Sequence, residues 1–188
     1  MELNDIAEIR TGLVIARKKA EFGEGNRYKV LTLKSFDEDG WVDIDELDVF
    51  ESVEELSRHY LTQKNDVVIR LSYPHTAVCI DENLEGIILP SLFSVIRLFE
   101  KKILPEFLAL YLNSDRIKRK IAQAAAGSAV TVIKTSFLKE LSIRAYPMEM
   151  QRKAIQIHKL HVKEKKLLVE LAEKKEIIYK SVIKELTK

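Results

Sequence analysis

The sequence predicts an α+β fold: a globular domain over residues 1–147 with a mixed β-sheet and helices, then one long helix over residues 148–188. Three observations predict it. Short runs rich in β-branched residues, Val67–Ile69, Thr76–Ile80 and Phe93–Leu98, are separated by turn signals and read as strands. Pro105 sits at the first position of a helical run that continues to Ala126. After Pro147 there is no further proline or glycine, and a mixture of Lys, Glu, Leu and Ile favours helix to the end. From Gln151 to Thr187 such a helix is roughly 55 Å long at 1.5 Å per residue.

Taken in order, Leu3, Ile6 and Ile9 share one helical face, so a short helix is expected to open the chain and stop at Gly12. A basic connection follows, and Tyr28, Val30, Leu31 and Leu33 mark a strand. Asp37–Gly40 is a turn and Trp41–Ile44 resumes β character, which predicts a hairpin-like unit. Val53–Leu61 reads as a short acidic helix. Val67–Ile69 is a buried strand by composition, with Thr76–Ile80, Ile87–Leu89 and Phe93–Leu98 as further strands. In the helix begun by Pro105, Leu108, Tyr111, Leu112, Ile117 and Ile121 face the core, and Gly127 caps its end. Val130, Val132 and Ile133 suggest a strand, and Ser136 caps a short helix through Leu141.

The last helix carries its own pattern. Apolar residues recur at Ile157, Leu160, Leu167, Leu171 and Ile178, in steps of 3, 7, 4 and 7, and the line then passes to Val182. This is the spacing of a narrow coiled-coil seam, interrupted by Glu164, Lys174 and Lys175. Packing along its own domain would leave the seam partly exposed. Pairing with a second helix, through Ile157, Leu160, Leu167, Leu171, Ile178 and Val182, covers it.

Charge is segregated although the formal net is only +2. From Arg10 to Lys34 seven basic residues stand against two acidic ones; from Asp37 to Asp66 eleven acidic residues stand against Arg58 and Lys64. From Lys101 to Arg144 there are nine basic residues against three acidic. Such a chain suits a polyanionic partner on its basic regions and solvent or a protein on its acidic one. The only cysteine, Cys79, excludes an internal disulfide and a Cys-based zinc site, so the reducing cytoplasm is the expected compartment. The opening residues lack the pattern of a signal peptide. The most apolar stretch, Ile87–Phe99, is broken by Pro90, Ser91, Ser94 and Arg97 and is too short to cross a bilayer.

Catalytic signatures are missing. The four prolines are isolated, so there is no Pro-Pro-aromatic corner to grip a flipped base; there is no Walker loop, HExxH or Gly-x-Ser-x-Gly elbow. Gly23-Glu24-Gly25 lacks a third glycine, Ser128 reads as a loop serine, and His158 and His161 have no acidic or thiol ligand in phase. No metal and no cofactor is expected. The pattern is that of a binder.

The segment from Gly127 to Ile155 resembles the conserved segment of the DNA-specificity subunit of type I restriction-modification systems. Gly127 and Ser128 match its start, Ile133, Leu138, Leu141 and Ile143 its aliphatic positions, and Pro147, Glu149, Gln151 and Ile155 its end. Tyr146 departs from it, standing where the family usually has the first of two prolines. Upstream, Leu3–Gly12 resembles the family's opening, Leu61–Ile69 the stretch before its Asp-containing strand, and Leu104–Ile121 its distal helix. At Tyr73-Pro74 the family commonly has glycine.

The resemblance implies a half-sized specificity subunit, with one target-recognition domain, that dimerises through antiparallel terminal helices. It also implies double-stranded DNA as ligand, a methyltransferase (modification) subunit docked on the helices, a restriction subunit joining for cleavage, and no catalysis in the chain itself. Two identical domains related by a two-fold axis and seated at the two ends of a spacer require the helices to run antiparallel, which predicts an interrupted inverted-repeat site. Candidate phosphate contacts are Arg17, Lys18, Lys19, Lys118, Arg119 and Lys120; candidate base readers are Arg70, Tyr73 and His75, in a loop between two predicted strands. The alternative is a coiled-coil DNA-binding regulator or adaptor without a methyltransferase partner.

Overall fold

The computed structural model describes residues 1–20, 23, 25–125 and 132–187. Six strands, β1 (Ala7–Thr11), β2 (Asn26–Val30), β3 (Asp48–Ser52), β4 (Val67–Arg70), β5 (Ala77–Cys79) and β6 (Phe93–Leu98), form two antiparallel sheets. The larger has the order β1-β6-β4-β5, with Ile96 opposite both Ile9 and Val67. Period-two alternation sends Ala7, Ile9, Val67, Ile69 and Ile96 to one face and Val68, Val78 and Val95 to the other. Helices α1 (Pro105–Asn113), α2 (Asp115–Ala125) and α3 (Thr135–Lys139) cover the first face with Leu108, Leu112, Ile117, Ile121 and Leu138, all fully buried. Irregular chain covers the second, bringing Leu31, Phe36, Val42 and Leu89 onto it. β2 and β3 pair separately, and Val30 and Phe50 join Leu13, Leu56 and Ile88 in a third cluster.

The strands at Val67, Thr76 and Phe93 form where expected, and Pro105 opens its helix at the first position. Several local expectations are overturned by partners far away in sequence. Only Leu3–Asp5 is helical at the start, a single 3-10 turn; Ala7–Thr11 is a strand because its alternate residues are bonded into β6. Gly12 ends it against the carbonyls of Leu89 and Pro90, where a Cβ would come within 2.2 Å of both oxygens. The Asp37–Gly40 turn is present, with Gly40 at φ +92°, but Trp41–Ile44 contributes only the isolated Phe36–Val42 bridge. The partner of β2 is β3 instead.

Val53–Leu61 is not a helix. Leu56, Tyr60 and Leu61 turn into the third cluster, the Leu56 N–H donates to the Tyr28 hydroxyl (3.0 Å), and only Arg58–Tyr60 makes a 3-10 turn, capped by Ser57. The long helix expected from Glu106 to Ala126 breaks at Ser114. Ser114 turns extended (φ −65°, ψ 146°) while the side chain of Asn113, at the end of α1, bonds the Ala77 N–H and carbonyl (2.8 and 2.7 Å), and α2 restarts from the Ser114 carbonyl. α3 is capped at Lys134 rather than Ser136. Ile87–Leu89 and Val132 make isolated bridges, not strands. Gly127, Ser128 and Val130 lie outside the described residues.

The last helix, α4 (Met148–Leu186), is 39 residues long, about 58 Å at 1.5 Å per residue. Its first two turns are part of the globular core. Gln151 is completely buried: its Oε1 accepts from the Leu104 N–H (2.9 Å), and its Nε2 donates to the carbonyls of Lys102 (2.9 Å) and Tyr146 (2.8 Å). Ile155 packs one turn later.

Candidate nucleic-acid interface and helical stem

At one end of the large sheet, β4 runs out at Arg70 into the loop that returns as β5. Arg70 folds back over this loop, Nε donating to Ser72 Oγ (3.0 Å) and Nη1 to the Leu33 carbonyl (3.2 Å). The loop is held from two sides. The Leu71 N–H donates to the Leu92 carbonyl, the Leu71 carbonyl accepts from Ile133 (both 3.0 Å), and Ser72 bridges to Val132. Tyr73, at the tip, is 71% exposed.

His75 turns the opposite way. It is buried at φ +56°, a left-handed conformation, with its N–H on the Ser72 carbonyl (2.9 Å). Burial pushes its imidazole pKa below the ordinary value, the charges of Lys118 and Arg70 push in the same direction, and backbone contacts at Arg70 and Leu71 oppose them. The ring is therefore neutral at neutral pH. His75 supports the loop from beneath, and Tyr73 is the ring the loop displays.

From α2, the charge of Lys118 acts on His75 in the same loop. Ile117 and Ile121 are fully buried, which leaves Lys118 half-buried and Arg119 and Lys120 exposed beside it. The Arg119 Nε donates to the Asp115 carbonyl of its own helix (3.2 Å). Folding thus brings Arg70, Tyr73, His75 and Lys118 together, and α2 extends the positive surface. The other basic cluster sits against the β2-β3 ribbon: Lys18 is paired with Glu54, and Lys19 is exposed with its backbone bridged to Ser52. The side chain of Arg17 lies outside the described residues.

The stem has a fastening that sequence reading missed. The Asp37–Gly40 turn leans onto α4, where Lys165 pairs with Asp39 and the ammonium groups of Lys165 and Lys166 lie 5.8 and 5.0 Å from the Trp41 ring centre. Burial raises the Asp37 pKa, and the two lysines oppose the shift. Part of the acidic stretch is therefore a basic-helix receptor within the chain. The legible signal was the lone tryptophan in an acidic turn, set against a lysine-rich helix. Between this turn, β5, α1 and α4 lies a cleft of about 520 Å³, lined among others by Trp41, Cys79, Asn113, His158 and Val162. Burial pushes the Cys79 thiol up to about 12, so it stays protonated and inert.

Before and beyond the fastening, α4 carries a row of exposed apolar side chains interrupted by Glu164 and Lys174. Ile157, Leu160, Leu167, Leu171, Ile178 and Val182 are all exposed, Ile157 by 69%. No helix among the described residues is long and apolar enough to cross a membrane.

The fold is a globular α+β domain carrying a long helical stem. Residues 1–177 match the type I restriction modification DNA specificity domain, and the chain belongs to that family. The fold is that of solved specificity subunits. A crystal structure of the HsdS subunit from Thermoanaerobacter tengcongensis is 17% identical at a TM-score of 0.67, covering 91% of this chain and 43% of that one. A chain from a study of complex assembly and conformational transition of the type I R-M system gives 16% and 0.67, covering 92% and 44%. The type I S subunit from M. genitalium gives 16% and 0.51, covering 87% and 38%. This chain therefore spans less than half the length of those it matches. No curated protein matches it.

Proposed function

We propose that this chain is the non-catalytic DNA-reading component of a type I restriction-modification system, working as a homodimer joined through antiparallel α4 helices. Tyr73 and Arg70 read base edges from the β4–β5 loop, His75 props that loop, and Lys118, Arg119 and Lys120 hold phosphates from α2. Lys18 and Lys19, with Arg17, form a second phosphate contact beside the ribbon. The exposed seam of α4 receives the second copy, and the paired stem offers a platform for a methyltransferase subunit and, for cleavage, a restriction subunit. The observation that carries the reading is the convergence of the exposed Tyr73 loop with the basic face of α2 in a chain of this family.

Two measurements test it. Replacing Lys118 and Lys120 with alanine should weaken binding to all duplexes alike and flatten the log–log salt dependence by about 0.9 per lost phosphate contact, while Tyr73→Ala should relax sequence preference. An unchanged slope moves the DNA surface elsewhere. Methylation mapping in cells expressing the chain with its methyltransferase should return an interrupted inverted repeat; tight site-specific binding by the chain alone, with no methylation, identifies a regulator instead.

A further inference from the structure

Written out with its interruptions, the seam of α4 runs Ile157, Leu160, Glu164, Leu167, Leu171, Lys174, Ile178, in alternating steps of three and four. These are the a and d positions of a heptad. All seven are exposed, and two of them are charged and of opposite sign. The face of α4 that meets its own domain carries Gln151, Ile155, His158 and Val162. At about 100° per residue the seam is centred roughly 150° around the helix from Ile155, so domain and partner do not compete for one surface.

Reversed end to end, the seam from Leu160 to Ile178 is its own complement. Leu160 and Ile178 lie nine residues either side of Val169, Glu164 and Lys174 five, Leu167 and Leu171 two. We propose that two copies of this chain pair through α4 in one antiparallel register centred at the level of Val169, with the Glu164 carboxylate of each copy on the Lys174 ammonium of the other. The proposal rests on the dimeric reading above and specifies its geometry.

Alternatives are penalised by charge. A parallel pair sets Glu164 against Glu164 and Lys174 against Lys174. An antiparallel pair slipped by one heptad sets Glu164 against Leu167 or Lys174 against Leu171, burying a charge without a partner. The two symmetry-related Glu164–Lys174 layers act as polar layers in an apolar seam, a known means of fixing register. Among the described residues Lys174 pairs with Glu170 of its own helix (2.6 Å) and Glu164 has no ion pair. Both are available.

The register also sets a distance. The domain grips α4 between Gln151 and Lys166, midway near His158, which lies eleven residues before Val169. The two grips are then about 22 residues apart along the pair, or about 33 Å, close to one turn of B-DNA at about 34 Å. Two recognition domains at that spacing face the same side of a duplex.

Crosslinking and charge exchange test the register in the full-length chain. In a Cys79→Ser background, Glu164→Cys mixed with Lys174→Cys should form a disulfide-linked heterodimer on oxidation. Neither variant should crosslink to itself, since copies of one position stand about 15 Å apart along the axis. Glu164→Lys should raise the dimer dissociation constant about 10-fold, and adding Lys174→Glu to the same chain should restore it. Self-crosslinking of Glu164→Cys, or a double charge swap no tighter than the single, overturns the register while leaving a dimer in place. A wild-type chain that is monomeric at micromolar concentration removes the dimeric reading along with it.

Discussion

The two halves of α4 carry eight charged residues each and stand in opposite circumstances. From Met148 to Lys166 the helix is held: Gln151 is buried with three hydrogen bonds, Ile155 is in the core, Lys159 faces Glu106 (3.6 Å), and Lys165 and Lys166 meet Asp39 and Trp41. From Leu167 to Leu186 it makes no hydrogen bond or ion pair to another element among the described residues, yet this half is the more apolar. It exposes Leu167, Leu168, Val169, Leu171, Ile177, Ile178, Tyr179, Val182, Ile183 and Leu186. An isolated helix of that length is marginal in water, since most helical stability comes from packing an apolar face. The difference teaches that the proximal half fixes the direction of the stem and the distal half is built to be covered by something else.

The largest effect should come from breaking the held half. Gln151→Ala leaves the Leu104 N–H and the Lys102 and Tyr146 carbonyls without partners in a dry site and should cost about 3 kcal/mol. Denaturant unfolding measures it; a loss under about 0.5 kcal/mol, the range of ordinary surface changes, would show that the helix is not anchored there.

Breaking the bare half should do the reverse. Leu167→Asp with Leu171→Asp should change the chain's own stability by less than about 0.5 kcal/mol, because both side chains are exposed within it. The same pair should weaken dimerisation by about 6 kcal/mol, through lost burial of four leucines, two from each copy. Light scattering across a concentration series separates the two. A dimer unaffected by this pair would move the interface off the seam.

A smaller effect sharpens where the held half ends. Trp41→Ala removes the ring under Lys165 and Lys166 and should cost about 1 kcal/mol, as exposed cation–π contacts do. Amide exchange should speed up around Val162–Glu170 and stay unchanged around Gln151. Uniform acceleration along α4 would mean that the turn does not mark the boundary.

The sequence by itself determined the α+β class, the strands around Val68, Val78 and Val95, the helix opened by Pro105 and the length of α4. Each is encoded locally: a buried β-branched run between turns, a proline at the first helical position, thirty-nine residues without glycine or proline. The seam was legible for the same reason, since heptad spacing is read along one chain. What only the tertiary structure decided depends on partners distant in sequence. Ala7–Thr11 has helical spacing in part but becomes a strand because β6 supplies its hydrogen bonds. The Glu106–Ala126 run is broken because Asn113 satisfies the edge of β5. His75, equal to Tyr73 in the sequence as a candidate reader, is turned inward by its left-handed backbone and buried, whereas Tyr73 is left in solvent. Local propensity is worth tenths of a kcal/mol per residue, and a closed hydrogen-bond ladder or a buried amide outweighs it.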